Sequence, residues 1–218
     1  VTIISDFATL KAQVQTYCAR TDSTFGNMVE TFVAAAEQRI FHGSGRPGDP
    51  LYSPALRCDD IETVTTLTTD VAGTVVLPSR CLDVRGLTVS GQDTEIKYMP
   101  PDRFKVWIEL GSTGDSQYYT VEQGTLKIAP AAAVSLSVTI FTQPAALTVD
   151  ASTSTTLTAF PMLYLDAVLH EAFTFLRNAE LATAYLARYK SAVEGVNRTA
   201  SHRRLLSGNM ALSFEPIG

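Results

Sequence analysis

The chain is poor in residues that carry chemistry. Three cysteines, Cys18, Cys58 and Cys81, stand among its 218 residues, and no two form a CxxC pair. A scattered, odd set supports neither a disulfide scaffold nor a zinc site, which need clustered and usually paired thiols. Reduced thiols from a cytoplasmic folding environment are expected. Histidine is as scarce, at His42, His170 and His202. His170-Glu171-Ala172-Phe173-Thr174 starts like the HExxH zinc helix, but Thr174 stands where the second imidazole is required. No GxSxG elbow and no GxxxxGK[ST] phosphate loop occurs. In Gly43-Ser44-Gly45-Arg46-Pro47-Gly48 the proline removes a backbone N–H, and no strand precedes the glycines to aim them at a phosphate. Long apolar runs are missing too. A membrane span needs about 20 apolar residues, and the best candidate, 160–176, carries Asp166, His170 and Glu171. The first residues have no basic stretch and no apolar core, so no signal peptide and no membrane are expected. Charge is sparse, with 18% charged residues and a net −5, against the basic stripe of a general nucleic-acid binder. The clearest basic cluster is Arg203-Arg204 after His202. Neither cofactor nor metal nor catalysis is expected.

What is present builds a core. Apolar residues make up 45% of the chain, and so few charges among many Ala, Thr and Ser residues suit a surface partly hidden in an oligomer. Phe7, Leu10, Val14 and Tyr17 have helical spacing, which predicts a helix over 6–20 capped by Ser5 or Asp6. A second helix over 24–41 follows the turn Thr21-Asp22-Ser23, with Val29, Phe32, Val33, Ala36 and Ile40 as its stripe. Three glycines and two prolines make 42–50 a loop, long enough to contact a partner.

From Ile61 the period shortens. β-branched runs over 62–68, 73–77, 82–89 and 95–98 are separated by Gly73, Pro78 and Gly91. Pro101 opens a short helix to 110 that places Phe104, Trp107 and Ile108 on one face. Two strand runs flank Glu122-Gln123-Gly124 as a hairpin, and Val134, Leu136, Val138 and Ile140 alternate on a last strand. A Thr/Ser linker over 147–158 leads to a helix from Pro161 to about 176, apolar on nearly every face. Such a helix is buried on more than one side, within one chain or partly against a neighbouring subunit. A final helix over about 180–198 carries Leu181, Tyr185, Tyr189, Val193 and Val196, and the remainder shows no sustained period. The expected class is α+β: N-terminal and C-terminal helix pairs forming one antiparallel bundle, an inserted antiparallel β-rich region, and an extended C-terminal arm. The expected divisions are 1–58, 59–150, 151–198 and 199–218.

Several segments together resemble one family. Phe32-Val33-Ala34-Ala35-Ala36-Glu37-Gln38-Arg39-Ile40 is similar to a helix written F-I-x-x-A-E-x-R-I, and Val76-Leu77-Pro78 through Arg85 is similar to L-P-x-D-F-L-x-x-R, with Ser79-Arg80-Cys81 departing from it. The Tyr118 to Ile128 hairpin follows. Phe160-Pro161-Met162-Leu163-Tyr164-Leu165 through Glu171-Ala172-Phe173-Thr174-Phe175-Leu176-Arg177, then Ala184-Tyr185-Leu186-Ala187-Arg188-Tyr189, is similar to P-x-L-Y-L-Y-A-x-L-x-E-A-x-x-F-L and the helix after it. The chain resembles the head–tail adaptors of tailed bacteriophages, also called head completion, connector or tail tubular protein A-like proteins.

The resemblance implies a non-enzymatic virion protein at the head–tail junction, made in the host cytoplasm. It would form a homo-oligomeric ring of about twelve copies between the portal protein and the tail nozzle or tail tube. Double-stranded DNA would pass through the lumen during genome ejection without specific binding. An acidic lumen repels phosphate. An arm holding Arg203, Arg204, Leu205, Leu206, Met210, Leu212 and Phe214 would dock on the portal. Phe32, Glu37, Arg39, Tyr164, Leu165, Glu171, Phe175 and Tyr185 would serve the subunit interface or the helical core, and Gly43, Gly45, Arg46 and Gly48 a loop facing the tail. Two other classes stay open. A tail-associated or glycan-binding β-rich module would keep Trp107, Tyr118 and Tyr119 exposed in a groove. An enzyme would bring His170, Glu171 and the acidic cluster Asp59, Asp60 and Glu62 into one pocket.

Overall fold

The computed structural model describes residues 3–92, 94–111 and 113–208, with side chains to Arg203. The chain is a mixed α+β protein of two compact units: a helical unit from 1–61 and 144–218, and a β unit from 62–143.

In the helical unit, α1 (Phe7–Tyr17) starts at a reciprocal cap. The Thr9 amide donates to Asp6 Oδ1 at 2.8 Å, and the Asp6 amide donates to Thr9 Oγ1 at 3.1 Å. Its buried Phe7, Leu10 and Val14 are the spaced positions. α2 (Ser23–His42) is capped by Asp22, which accepts from the Phe25 amide at 2.9 Å. It stops at Gly43, whose φ of 73° suits glycine, and where a Cβ would lie 2.8 Å from the Ser53 carbonyl oxygen. α5 (Pro161–Phe175) packs against α1, α2, α4 (Thr155–Ala159) and α6 (Ala179–Gly208). Leu163, Tyr164, Leu165, Ala167, Val168, Leu169, Ala172 and Phe173 are buried by the chain's own helices. Most of the all-round apolar pattern therefore belongs to a central helix of the unit, while Met162 and Phe175 on the same helix stay 48% and 52% exposed.

Two parts of this unit differ from the expectation. The Thr/Ser linker contains α4, capped by Ser154, and both Thr156 and Leu157 are buried. The segment before α4 is tied down as well: the Phe7 amide donates to Ser152 O and the Ala8 amide to Asp150 O. The last helix does not end near Arg198. It runs to Gly208, so residues 199–208 are helix and not extended arm. No glycine or proline interrupts 199–207, and Ala200 is still buried on the packed face. Helix propagation over good helix formers needs no apolar stripe once it is nucleated.

The β unit holds two sheets. One has the order β1–β7–β3, from β1 (Glu62–Thr68), β7 (Ser135–Thr142) and β3 (Cys81–Val89), all antiparallel. The other has the order β2–β6–β5–β4, from β2 (Thr74–Val76), β6 (Thr125–Ala129), β5 (Tyr118–Glu122) and β4 (Lys97–Tyr98). β5 and β6 form the expected hairpin, and its turn residues Gln123 and Gly124 both have positive φ, 50° and 74°. The region is not wholly antiparallel, because β4 pairs with β5 in parallel. A parallel pair needs a crossover, which α3 (Pro101–Glu109) supplies while packing on β5 and β6. The core is Leu77, Leu87, Ile96, Tyr119, Leu126, Ile128, Leu136, Val138 and Ile140.

Candidate interaction surfaces

Polar side chains link the helices of the helical unit. Glu37 on α2 is buried and accepts from the Tyr164 hydroxyl on α5 at 2.9 Å and from the Leu147 amide at 3.3 Å. Burial raises its pKa above the usual carboxyl value, and the two hydrogen bonds oppose that rise only in part. Two residues on, Arg39 donates through Nε and Nη2 to Glu171 Oε1 at 3.1 and 2.9 Å, and through Nη1 to Ser44 Oγ at 2.7 Å. The same arginine thus ties α2 to α5 and to the loop after α2.

That loop is folded at its base and free at its tip. Ser44 and Ser53 exchange backbone hydrogen bonds, the Ser44 hydroxyl donates to Leu51 O at 2.8 Å, and Lys190 donates to the Pro50 carbonyl. Gly45, Arg46, Gly48 and Leu51 are exposed. Asp49 caps the tip by accepting from the Arg46 amide at 3.1 Å. A long Gly/Pro segment is therefore presented on an ordered base.

The residues expected at an interface or core divide cleanly. Phe32, Glu37, Tyr164 and Leu165 are buried within the unit. Arg39 and Glu171 are half-buried. Phe175 is 52% exposed, although its ring lies 5.3 Å from Phe32. Tyr185 stacks on Phe173 with ring centroids 5.4 Å apart, and the Arg188 guanidinium lies 5.4 Å from the Tyr185 ring centroid. Arg188 also stands 3.2 Å from the buried Asp166, whose pKa burial raises despite the arginine. Of the expected residues Phe175 is exposed, and Arg39, Glu171 and Tyr185 are partly exposed.

Arg203, from the expected arm, sits on α6 with its guanidinium 3.8 Å from Asp59. Asp59, Asp60 and Arg203 line a hollow of about 410 Å³ with Cys58, Phe160 and the small-residue face of α6. Neither His170 nor Glu171 lines it. His170 is buried with Nδ1 2.9 Å from Ala182 O, and Glu171 holds Arg39. Glu62 pairs with Arg85 in the β unit. The structure does not assemble the residues that an enzyme would need in this hollow. The aromatic platform fares no better. Tyr119 is buried, and Trp107 stands edge-on to Tyr118 at 5.0 Å, locking α3 against β5. A hollow of about 520 Å³ in the β unit includes Tyr119 but neither Trp107 nor Tyr118. Met210, Leu212 and Phe214 lie outside the described residues.

Sequence reasoning missed Asn197, whose side chain donates to Ala55 O at 2.9 Å and accepts from the Arg57 amide at 2.7 Å, pinning the segment after the loop to α6. The signal was a lone carboxamide among the apolar spacings of that helix. Among the described residues no helix is long and apolar enough to cross a membrane, and no group of His, Cys, Asp and Glu is placed to hold a metal ion. In comparisons with known proteins, a family model described as SU10 adaptor protein matches residues 5–211. No curated protein matches the chain.

Proposed function

The chain belongs to the SU10 adaptor protein family, and from that membership we propose that it forms the ring joining the portal vertex of a phage capsid to the tail. It is a phage adaptor and a structural virion component; the ring, its size and its neighbours are our reading. The observation that carries this reading is the span of the family match, which begins before α1, takes in the whole β unit and runs past Gly208. Both units therefore belong to the adaptor.

In this reading about twelve copies close head-to-tail, as a heterologous contact that closes into a ring requires. The end of α6, with Arg203, Arg204, Leu205 and Leu206, meets the portal. The exposed tip at Gly45, Arg46 and Gly48, held on its ordered base, meets the nozzle or tail tube. Double-stranded DNA passes through the lumen, where a chain of net charge −5 favours passage over retention.

The test is mass by light scattering, for the protein alone and mixed with purified portal rings. A portal-bound species carrying about twelve added copies is expected. A monomer that stays free at every portal concentration overturns the reading.

A further inference from the structure

Among the described residues the β unit has four sheet edges, and three of them are guarded. β3 breaks register against β7 twice, carries Asp83 and Arg85, and is bridged at Thr88 by Glu95. β2 is three residues long, and β4 is two, one of them Lys97. Short strands, bulges and charges are the usual means of keeping an edge from recruiting another strand.

β1 has none of these. It runs seven residues, pairs with β7 without a register shift from Glu62 to Thr68, and carries neither proline nor any charge after Glu62. Thr63, Val64, Thr66 and Thr68 are exposed, Val64 to 66%. An uninterrupted, uncharged edge presents a row of backbone groups ready for one more strand.

The side-chain rows say what kind of strand. Thr63, Thr65 and Leu67 stand beside Ile140, Val138 and Leu136, all three of which are in the core. The apolar face thus thins to two threonines and a leucine and stops. A strand with apolar residues at alternate positions would continue it.

The chain carries such a segment beyond the described residues. Asn209-Met210-Ala211-Leu212-Ser213-Phe214 alternates large apolar with small or polar residues, has no charge before Glu215, and precedes Pro216, which stops a ladder. Its six residues match an edge of seven, and it starts directly after α6 ends at Gly208.

We propose that β1 accepts residues 209–214 of a neighbouring copy as an added strand. Met210, Leu212 and Phe214 then extend the row of Thr63, Thr65 and Leu67, which gives them a place at the subunit boundary and not on the portal. Donor and acceptor are different parts of the surface, so the contact is heterologous, as ring closure requires. This deepens the ring reading and rests on it.

Two pairs of substitutions in the full-length chain, separately and combined, test it. V64K/T66K places lysines on the edge at exposed positions, with Trp107 fluorescence checking that the β unit keeps its fold. L212D/F214D disables the donor segment. A fluorescent peptide of residues 209–218 should bind L212D/F214D saturably, and bind a chain carrying both pairs of substitutions about tenfold more weakly or worse. Mixing V64K/T66K with L212D/F214D should give one-to-one dimers, because one supplies the donor and the other the edge. No peptide binding, or binding indifferent to V64K/T66K, overturns the proposal. So does a mixture that stays monomeric, the result expected if each segment folds back on its own chain. A protein that forms the portal-bound ring but fails the peptide assay loses this inference alone. Peptide binding without any portal-bound species sinks the ring reading and keeps the strand exchange.

Discussion

The two units solve the problem of a core differently. Glu37, Asp166 and His170, the buried carboxyl and imidazole side chains among the described residues, all belong to the helical unit. The buried hydroxyl-bearing residues of the β unit, among those described, are Thr69, Tyr119 and Thr120, and its charged pairs, such as Lys127 with Glu122 and Arg85 with Glu62, are partly exposed. Helices meet along stripes, and a long polar side chain can cross the seam and fix which turn lies against which. A sheet already sets register through its backbone ladder and can leave its interior apolar. Polar cross-links therefore specify the helical unit, and shape and alternation specify the β unit. The units should answer differently to cavities, to lost ion pairs and to pH. The single tryptophan, Trp107, reports on the β unit, while the circular dichroism signal at 222 nm reports mainly on the helices.

The largest effect is expected from a cavity in the β core. Leu136 on β7 is fully buried, so Leu136→Ala should cost about 3 kcal/mol from lost transfer energy and the void left behind. The Trp107-monitored transition should fall by that amount, with a smaller shift at 222 nm. Equal shifts in the two signals would show one cooperative block and break the comparison.

A smaller loss is expected from Arg39→Met. It keeps the length of the stem but leaves Glu171, whose side chain is 18% exposed, without its cation, and removes the donor to Ser44. A cost of about 2 kcal/mol follows from an unpaired, partly buried carboxylate. It should appear at 222 nm and, through the freed loop, as faster proteolysis near Arg46. An unchanged transition would mean that water replaces the guanidinium and that the pair specifies nothing.

What the sequence revealed tracks the same division. Period-2 alternation with turn glycines placed β1, β3, β5, β6 and β7 close to their observed bounds, because those signals are local and a sheet face reads them directly. Helical spacing likewise placed α1, α2 and α5. α4 was invisible: Thr155 to Ala159 has no period, and only packing makes Leu157 and Thr156 core. The extension of α6 was missed because a missing stripe was read as a missing helix, although nothing in 199–207 breaks one. Parallel pairing of β4 needed the crossover role of α3, which no single residue announces. The polar cross-links lay deepest. Tyr164 and Glu37 are 127 residues apart, Glu171 and Arg39 132, and no local pattern joins them. Family likeness singled out all four residues without saying that they meet.

The smallest expected effect is also the most diagnostic. Glu37 has a folded-state pKa above its ordinary 4.5 because burial disfavours the carboxylate. The folded protein then holds that proton more tightly than the unfolded chain. The contribution is fully favourable below pH 4.5 and is lost as pH rises through the higher folded value. Glu37→Gln keeps an oxygen to accept from Tyr164 and Leu147 and has no charge to bury. At pH 8 it should raise stability by about 1 kcal/mol, the lower end of the cost of an imperfectly satisfied buried group. At pH 4 the two proteins should unfold alike. The gain should appear in the helical signal and leave the Trp107 transition in place. A loss at pH 8 would mean that the ionised carboxylate, held by two donors, is worth more than its burial costs, and that the helical unit uses charge for stability as well as for register.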